Sequence, residues 1–149
     1  MGLIQEAWRE EKCRIENGIF FADDTAIEIS RNSEGVYASH GNRISLNDLI
    51  SKNGGDWYGH IYTLDAAKSD ELVAKVGETA WEGGGFVALL ETRGKLIWII
   101  HLENSEGFTD VTFSNGKIMA LATYYPHENT LEIPATSPQD FKFTERSIR

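Results

Sequence analysis

Asn115-Gly116 sits between two runs of alternating apolar residues, 108–114 before it and 117–125 after it. Asn and Gly both tolerate the positive φ that a two-residue hairpin loop requires. The segment is therefore predicted to be two antiparallel strands joined by a tight turn. A second hairpin is read just upstream, from 86–92 through Arg93-Gly94 into 95–103. Leu96, Ile97, Trp98, Ile99 and Ile100 are apolar without a break. Such a run fits a central strand covered on both faces, with Trp98 in the core.

More strand signals lie on either side. Residues 19–22 are short and apolar, 26–29 alternate, and the turn at 32–35 leads into 36–38. Another turn is read at 39–42. Ile44, Leu46, Leu49 and Ile50 fit a short strand or a helical turn, and Asn53-Gly54-Gly55 is a firm break. Residues 57–64 alternate aromatics and read as a strand, and 130–133 add another. Pro134 and Pro138 mark the exit, after which Phe141 and Phe143 are placed either to cover a sheet edge or to pack under it.

Two segments read as helix. Leu3, Ile4, Ala7, Trp8 and Ile15 share a helical face, predicting a short amphipathic helix within 3–15 that stops at Asn17-Gly18. Leu72, Val73, Val76 and Ala80 recur at helical spacing. They predict a main helix over about 66–81, capped by Asp65 or Ser69 and ended by the run Glu82-Gly83-Gly84-Gly85. The expected fold is α+β, with a large, mostly antiparallel sheet and this helix between two strand-rich halves. At 149 residues the chain fits one domain, 1–149.

Charge narrows the function. The formal net charge is −9, which opposes non-specific binding to nucleic acid and docking on an anionic membrane. It favours attraction to cationic partners. Within 96–141 six acids (Glu103, Glu106, Asp110, Glu128, Glu132, Asp140) face one base, Lys117. The N-terminus shows no basic region followed by an apolar run, and the longest apolar run is too short to cross a bilayer. Cys13 is the only cysteine, which fits a reducing compartment, so a cytoplasmic location is expected.

Signatures of chemistry are sparse. The glycine run at 83–85 lacks the trailing Lys-Ser/Thr of a phosphate loop and leads into a strand. No HExxH, CxxC or Gly-x-Ser-x-Gly sequence occurs, so neither a metal nor another cofactor is expected. Of His40, His60, His101 and His127, only His60 and His101 fall in predicted strands where they could converge. Their acid/base partners would be Asp56 or Asp65 for His60, and Glu103 for His101. A small enzyme or ligand-binding domain with a pocket near His60 and His101 is thus the alternative reading.

In its size, acidity, Trp-bearing strand (Lys95-Leu96-Ile97-Trp98-Ile99-Ile100) and Asn-Gly hairpin, the region 57–133 resembles bacterial immunity proteins of contact-dependent or polymorphic toxin systems. The resemblance implies a non-enzymatic inhibitor that binds a cognate toxin, commonly a basic nuclease domain, and occludes its active surface. An acidic inhibitor can mimic the polyanion that such a nuclease binds. The candidate contacts are Glu103, Glu106 and Asp110 around one loop, with Tyr124, Tyr125 and Glu128 as a second patch.

Overall fold

The computed structural model describes residues 2–55, 57–80 and 83–148. Asp56, Trp81 and Glu82 lie outside the described residues, and with them the Asp56–His60 pairing and the start of the glycine run. Helix α1 spans Leu3–Arg9, and strands β1 (Lys12–Arg14), β2 (Gly18–Phe21), β3 (Thr25–Arg31) and β4 (Tyr37–Ser45) follow. Helix α2 is Leu46–Asn53. Then come β5 (Tyr58–Ser69), β6 (Leu72–Thr79), β7 (Gly85–Glu91) and β8 (Leu96–Leu102). Strands β9 (Asp110–Ser114), β10 (Lys117–Tyr124), β11 (His127–Pro134) and β12 (Lys142–Ser147) complete the chain, with one 3-10 turn at Pro138–Asp140.

All the strand pairs are antiparallel. Eight strands form one sheet in the order β1-β5-β6-β7-β8-β2-β3-β4, and four form a second in the order β12-β11-β10-β9. Strand alternation sorts the large sheet's side chains into two cores. Ile19, Val76, Leu89, Trp98 and Ile100 point to the small sheet and meet Phe113, Ile118, Leu131 and Ile133. Phe20, Phe86, Ala88, Leu90 and Ile99 point the other way, under Ile4 of α1 and Leu46 and Leu49 of α2. The fold is α+β in three layers, with both helices on one face of the large sheet and the small sheet on the other. β8 lies inside this sandwich as its sequence predicts, and Trp98 is 1 % exposed, its Nε1 donating to the Ala135 carbonyl at 3.0 Å.

The Asn115-Gly116 hairpin forms as read, both residues at positive φ (53° and 73°). The helix predicted over 66–81 does not. Residues 72–79 are β6, paired with β5 on one side and β7 on the other. Leu72 and Val76 are four apart, a spacing that both periods allow, while Val73 falls on the strand's other face, which is also partly covered. The deciding local signal is Asp70, at φ 54°, in a two-residue turn between the paired Ser69 and Leu72. The second helix is instead α2. Ser45 Oγ accepts the Asp48 N–H at 3.1 Å as its N-cap, and Gly54 closes it at φ 72°.

Helix α1 is shorter than the predicted 3–15 segment, because Glu11 turns the chain at φ 59° into β1. Its N-cap residue, Gly2, has no side chain to offer. Asp24, from the β2–β3 turn, supplies the missing acceptor: its two oxygens take the N–H groups of Leu3 and Ile4, each at 3.0 Å. A Cβ on Gly2 would lie 2.7 Å from that carboxylate, so a side chain there would push Asp24 off these two N–H groups. The turn expected at 39–42 is absorbed into β4, which crosses it with Gly41 at φ 57°.

Both seams of the sandwich are closed by side chains. Asp65 Oδ2 accepts the Val111 N–H at 2.9 Å, tying β5 to β9. On the far side Ser39 Oγ donates to the Gln139 carbonyl at 2.8 Å, and Tyr37 packs edge-on against Phe143. Cys13 is buried, which pushes its thiol up to about 12. Native protein is expected to leave Cys13 unmodified by a thiol reagent at pH 8 and to react fully in denaturant, as a mass shift would record. Fast native labelling would refute this burial.

Candidate partner-binding surface

The loop 103–109 leaves β8 and returns as β9, and it is held at almost every residue. The Glu103 N–H donates to Asn17 Oδ1 at 2.5 Å, and Tyr37 donates its hydroxyl to the Glu103 carbonyl. The Glu106 N–H reaches the Gly83 carbonyl at 2.9 Å, and the Phe108 N–H the Gly77 carbonyl at 3.1 Å. Phe108 itself is fully buried, as is Ser105. Asn104 and Glu106 adopt left-handed φ values of 64° and 67°, which fold the loop tightly enough to make these bonds.

This loop and the β10–β11 turn form one surface. Asn129, buried at the start of β11, donates from Nδ2 to the Ser105 carbonyl at 2.8 Å. The charge of Glu106 reaches Tyr124, whose pKa is raised by burial and then by Glu145. Glu103, Glu106, Tyr124, Tyr125 and Glu128 therefore share one end of the molecule, with Asp110 at the adjoining start of β9. Tyr125 is its most exposed aromatic, 76 % accessible. Glu103 is half-buried. Desolvation, and then the charge of Glu16, push its carboxyl above the usual range.

Sequence reasoning missed other members. Glu145 of β12 accepts from the Tyr124 hydroxyl at 2.8 Å, and with Glu34 it borders a cleft of about 250 Å3 beside Tyr37 and Asn104. Glu78 of β6 lies against Gly107. Only the topology brings them here, since they come from segments that carry no motif. Glu128 is less available as a steering charge than its sequence implies. Its Oε1 takes both Nε (2.7 Å) and Nη2 (2.6 Å) of Arg146.

The two histidines do not converge. Thr79 pairs with Ile61 on the helix-covered face, and His101 Nε2 lies 3.4 Å from Thr79 Oγ1 on that same face. His60 precedes Ile61 in the strand and so points to the opposite face. Asp65 is committed to Val111. Among the described residues no three His, Cys, Asp or Glu side chains form a metal-holding group, and no helix is long and apolar enough to cross a membrane.

His101 has a structural task. It is fully buried, and its Nδ1 lies 3.2 Å from the Glu16 carbonyl, which can only accept. The proton is therefore on Nδ1, and Nε2 is free to accept from Thr79. Burial lowers its pKa from 6.5 to about 4. Between these values the unfolded chain binds the proton and the folded chain does not, so stability falls as pH drops through this window. Denaturant titrations at pH 7 and pH 4 should differ by about 3 kcal/mol from this group. A His101→Asn variant should lose that share of the difference; an identical pH profile in the variant would assign the effect elsewhere.

No family model matches this chain, nor does any curated protein or solved structure.

Proposed function

We propose that the protein is a non-enzymatic binding protein whose acidic end grips a basic protein partner. The observation that carries this reading is one acidic end: Glu103 and Glu106 sit on a loop tied down by its hydrogen bonds, Asp110 follows at the start of β9, and Glu145 takes the hydroxyl of Tyr124, next to the exposed Tyr125. A fixed array of this kind avoids the entropic cost of ordering on contact, and its field speeds the approach of a cation-rich surface. A tyrosine amid carboxylates supplies the apolar anchor that charges alone lack.

The partner class that fits is a phosphate-binding enzyme surface, and the reading we favour is an immunity protein that occludes the basic nuclease domain of a bacterial toxin. A pull-down from native cells is expected to recover a stoichiometric basic protein. With that partner in hand, reversing Glu103, Glu106 and Asp110 to lysine should slow association about ten-fold or more at low salt, with little change in dissociation. An association rate that ignores the triple reversal would remove the loop from the interface. The alternative of a joint His60 and His101 pocket draws no support from side chains on opposite faces of a sheet.

A further inference from the structure

In a chain of net charge −9, one groove collects cations. It is about 570 Å3 in volume and lies beside the end of α1, bordered by Trp8, Arg9 and Glu11 on one side and by Thr63 and Lys75 on the other. Strand register explains the placement. Lys75 pairs with Ala88 of β7, two residues from Phe86, so it emerges on the helix-covered face. Lys68 pairs with Val73 and shares that face. Gly94, which also borders the groove, stands between the exposed Arg93 and Lys95.

Lys75 is half-buried and forms no hydrogen bond or ion pair among the described residues, although Glu11 borders the same groove. An ammonium held in a cleft without a carboxylate partner is matched by an anionic ligand. The wall above it is aromatic: Trp8 is fixed edge-on against Phe86 at 6.2 Å and remains half-buried. The left-handed turn at Glu11 ends α1 at this point and leaves Arg9 at the rim. The volume falls in the range of small-molecule sites, about 300–1,000 Å3.

We propose that this groove binds a phosphate monoester bearing a planar ring, the phosphate held by Lys75 and Arg9 and the ring laid against Trp8. A phosphate suits the setting better than a carboxylate, because its second charge and third oxygen can use both cations and the Thr63 hydroxyl together. The site stands apart from the acidic end and does not rest on the partner-binding reading: the 92–95 turn and the 103–109 loop lie at opposite ends of β8.

The test is calorimetric titration of the full chain with AMP, GMP, CMP and UMP, then with adenosine and with inorganic phosphate. At least one nucleotide is expected to bind saturably with Kd below about 1 mM, and adenosine and phosphate each about ten-fold more weakly. Lys75→Met should weaken nucleotide binding about ten-fold, whereas Lys117→Met, on the exposed outer side of β10, should not. Circular dichroism and a melting curve on each variant keep a folding defect from passing as a binding defect. If Lys75→Met does not fold, Arg9→Gln replaces it with the same expectation. Binding by none of the four nucleotides, equal binding of phosphate or adenosine alone, or equal losses in the Lys75 and Lys117 variants would each overturn the proposal.

Discussion

Replacing Trp98 by alanine is expected to lower the free energy of unfolding by about 3–5 kcal/mol. Trp98 lies between the two sheets, where Leu89 flanks it on β7 and Phe21 on β2, and its indole N–H satisfies the Ala135 carbonyl. Alanine would leave a cavity walled by both sheets, which cannot collapse onto it without moving paired strands. It would also leave the carbonyl without its donor. Trp98→Phe fills most of the volume and separates the two terms: it should cost about 1–3 kcal/mol, the share of the lost hydrogen bond. Urea titrations followed by circular dichroism would measure both. A Trp98→Ala cost under about 1 kcal/mol would mean that the sheets do not pack through this residue.

The second large effect concerns a buried charge. Arg14 is fully buried and pairs through Nε with Glu16 Oε1. Its Nη2 also donates to the Gly55 carbonyl at 3.3 Å, and its guanidinium lies 5.3 Å from the centre of the Tyr58 ring. Asn53 at the end of α2 holds the other Glu16 oxygen at 2.8 Å. Burial alone would lower the Arg14 pKa, but Glu16 and Tyr58 outweigh it and raise it. Arg14→Met removes the cation that pairs with Glu16 and leaves its carboxylate uncompensated, so about 3–5 kcal/mol should be lost at pH 7. The double variant Arg14→Met/Glu16→Gln removes the orphaned charge and should recover much of that loss. A double variant no more stable than the single one would show that the cost lies in packing, not in an unpaired charge.

Most strands were legible because their physics is local. Asn115-Gly116 needs only its own two φ angles, and residues 96–100 need only an unbroken apolar run. The helix predicted over 66–81, where the structure has the end of β5 and then β6, shows where local physics stops. Leu72 and Val76 satisfy both periods, and what decides between them is whether neighbours wait on each side, here β5 and β7. Residues 44–50 read equally as strand or helical turn, although Ser45, Asp48 and Gly54 carry both caps of α2. The candidate surface was legible as acidic residues in one stretch of sequence. That Glu34, Glu78 and Glu145 join it was not, because they arrive from β3–β4, β6 and β12 by topology alone. The Arg14–Glu16 cluster and the cationic groove carried no signal either, since each draws single residues from distant strands.

The position of β2 sets an order of events in time. Its residues 18–21 are wedged between β3, which follows at once, and β8, whose pairing partners Trp98 to His101 are made about 80 residues later. At about 5–20 residues per second a ribosome needs about 4–16 s to cover that interval. Through it Ile19, Phe20 and Phe21 have no partner strand on one side and no second layer to cover them. β9 to β12, by contrast, can zip in sequence as successive neighbours once they emerge. The large sheet is thus closed from its middle by a late strand, and the emerging N-terminal third spends seconds as a sticky, half-built edge that a chaperone would be well placed to shield.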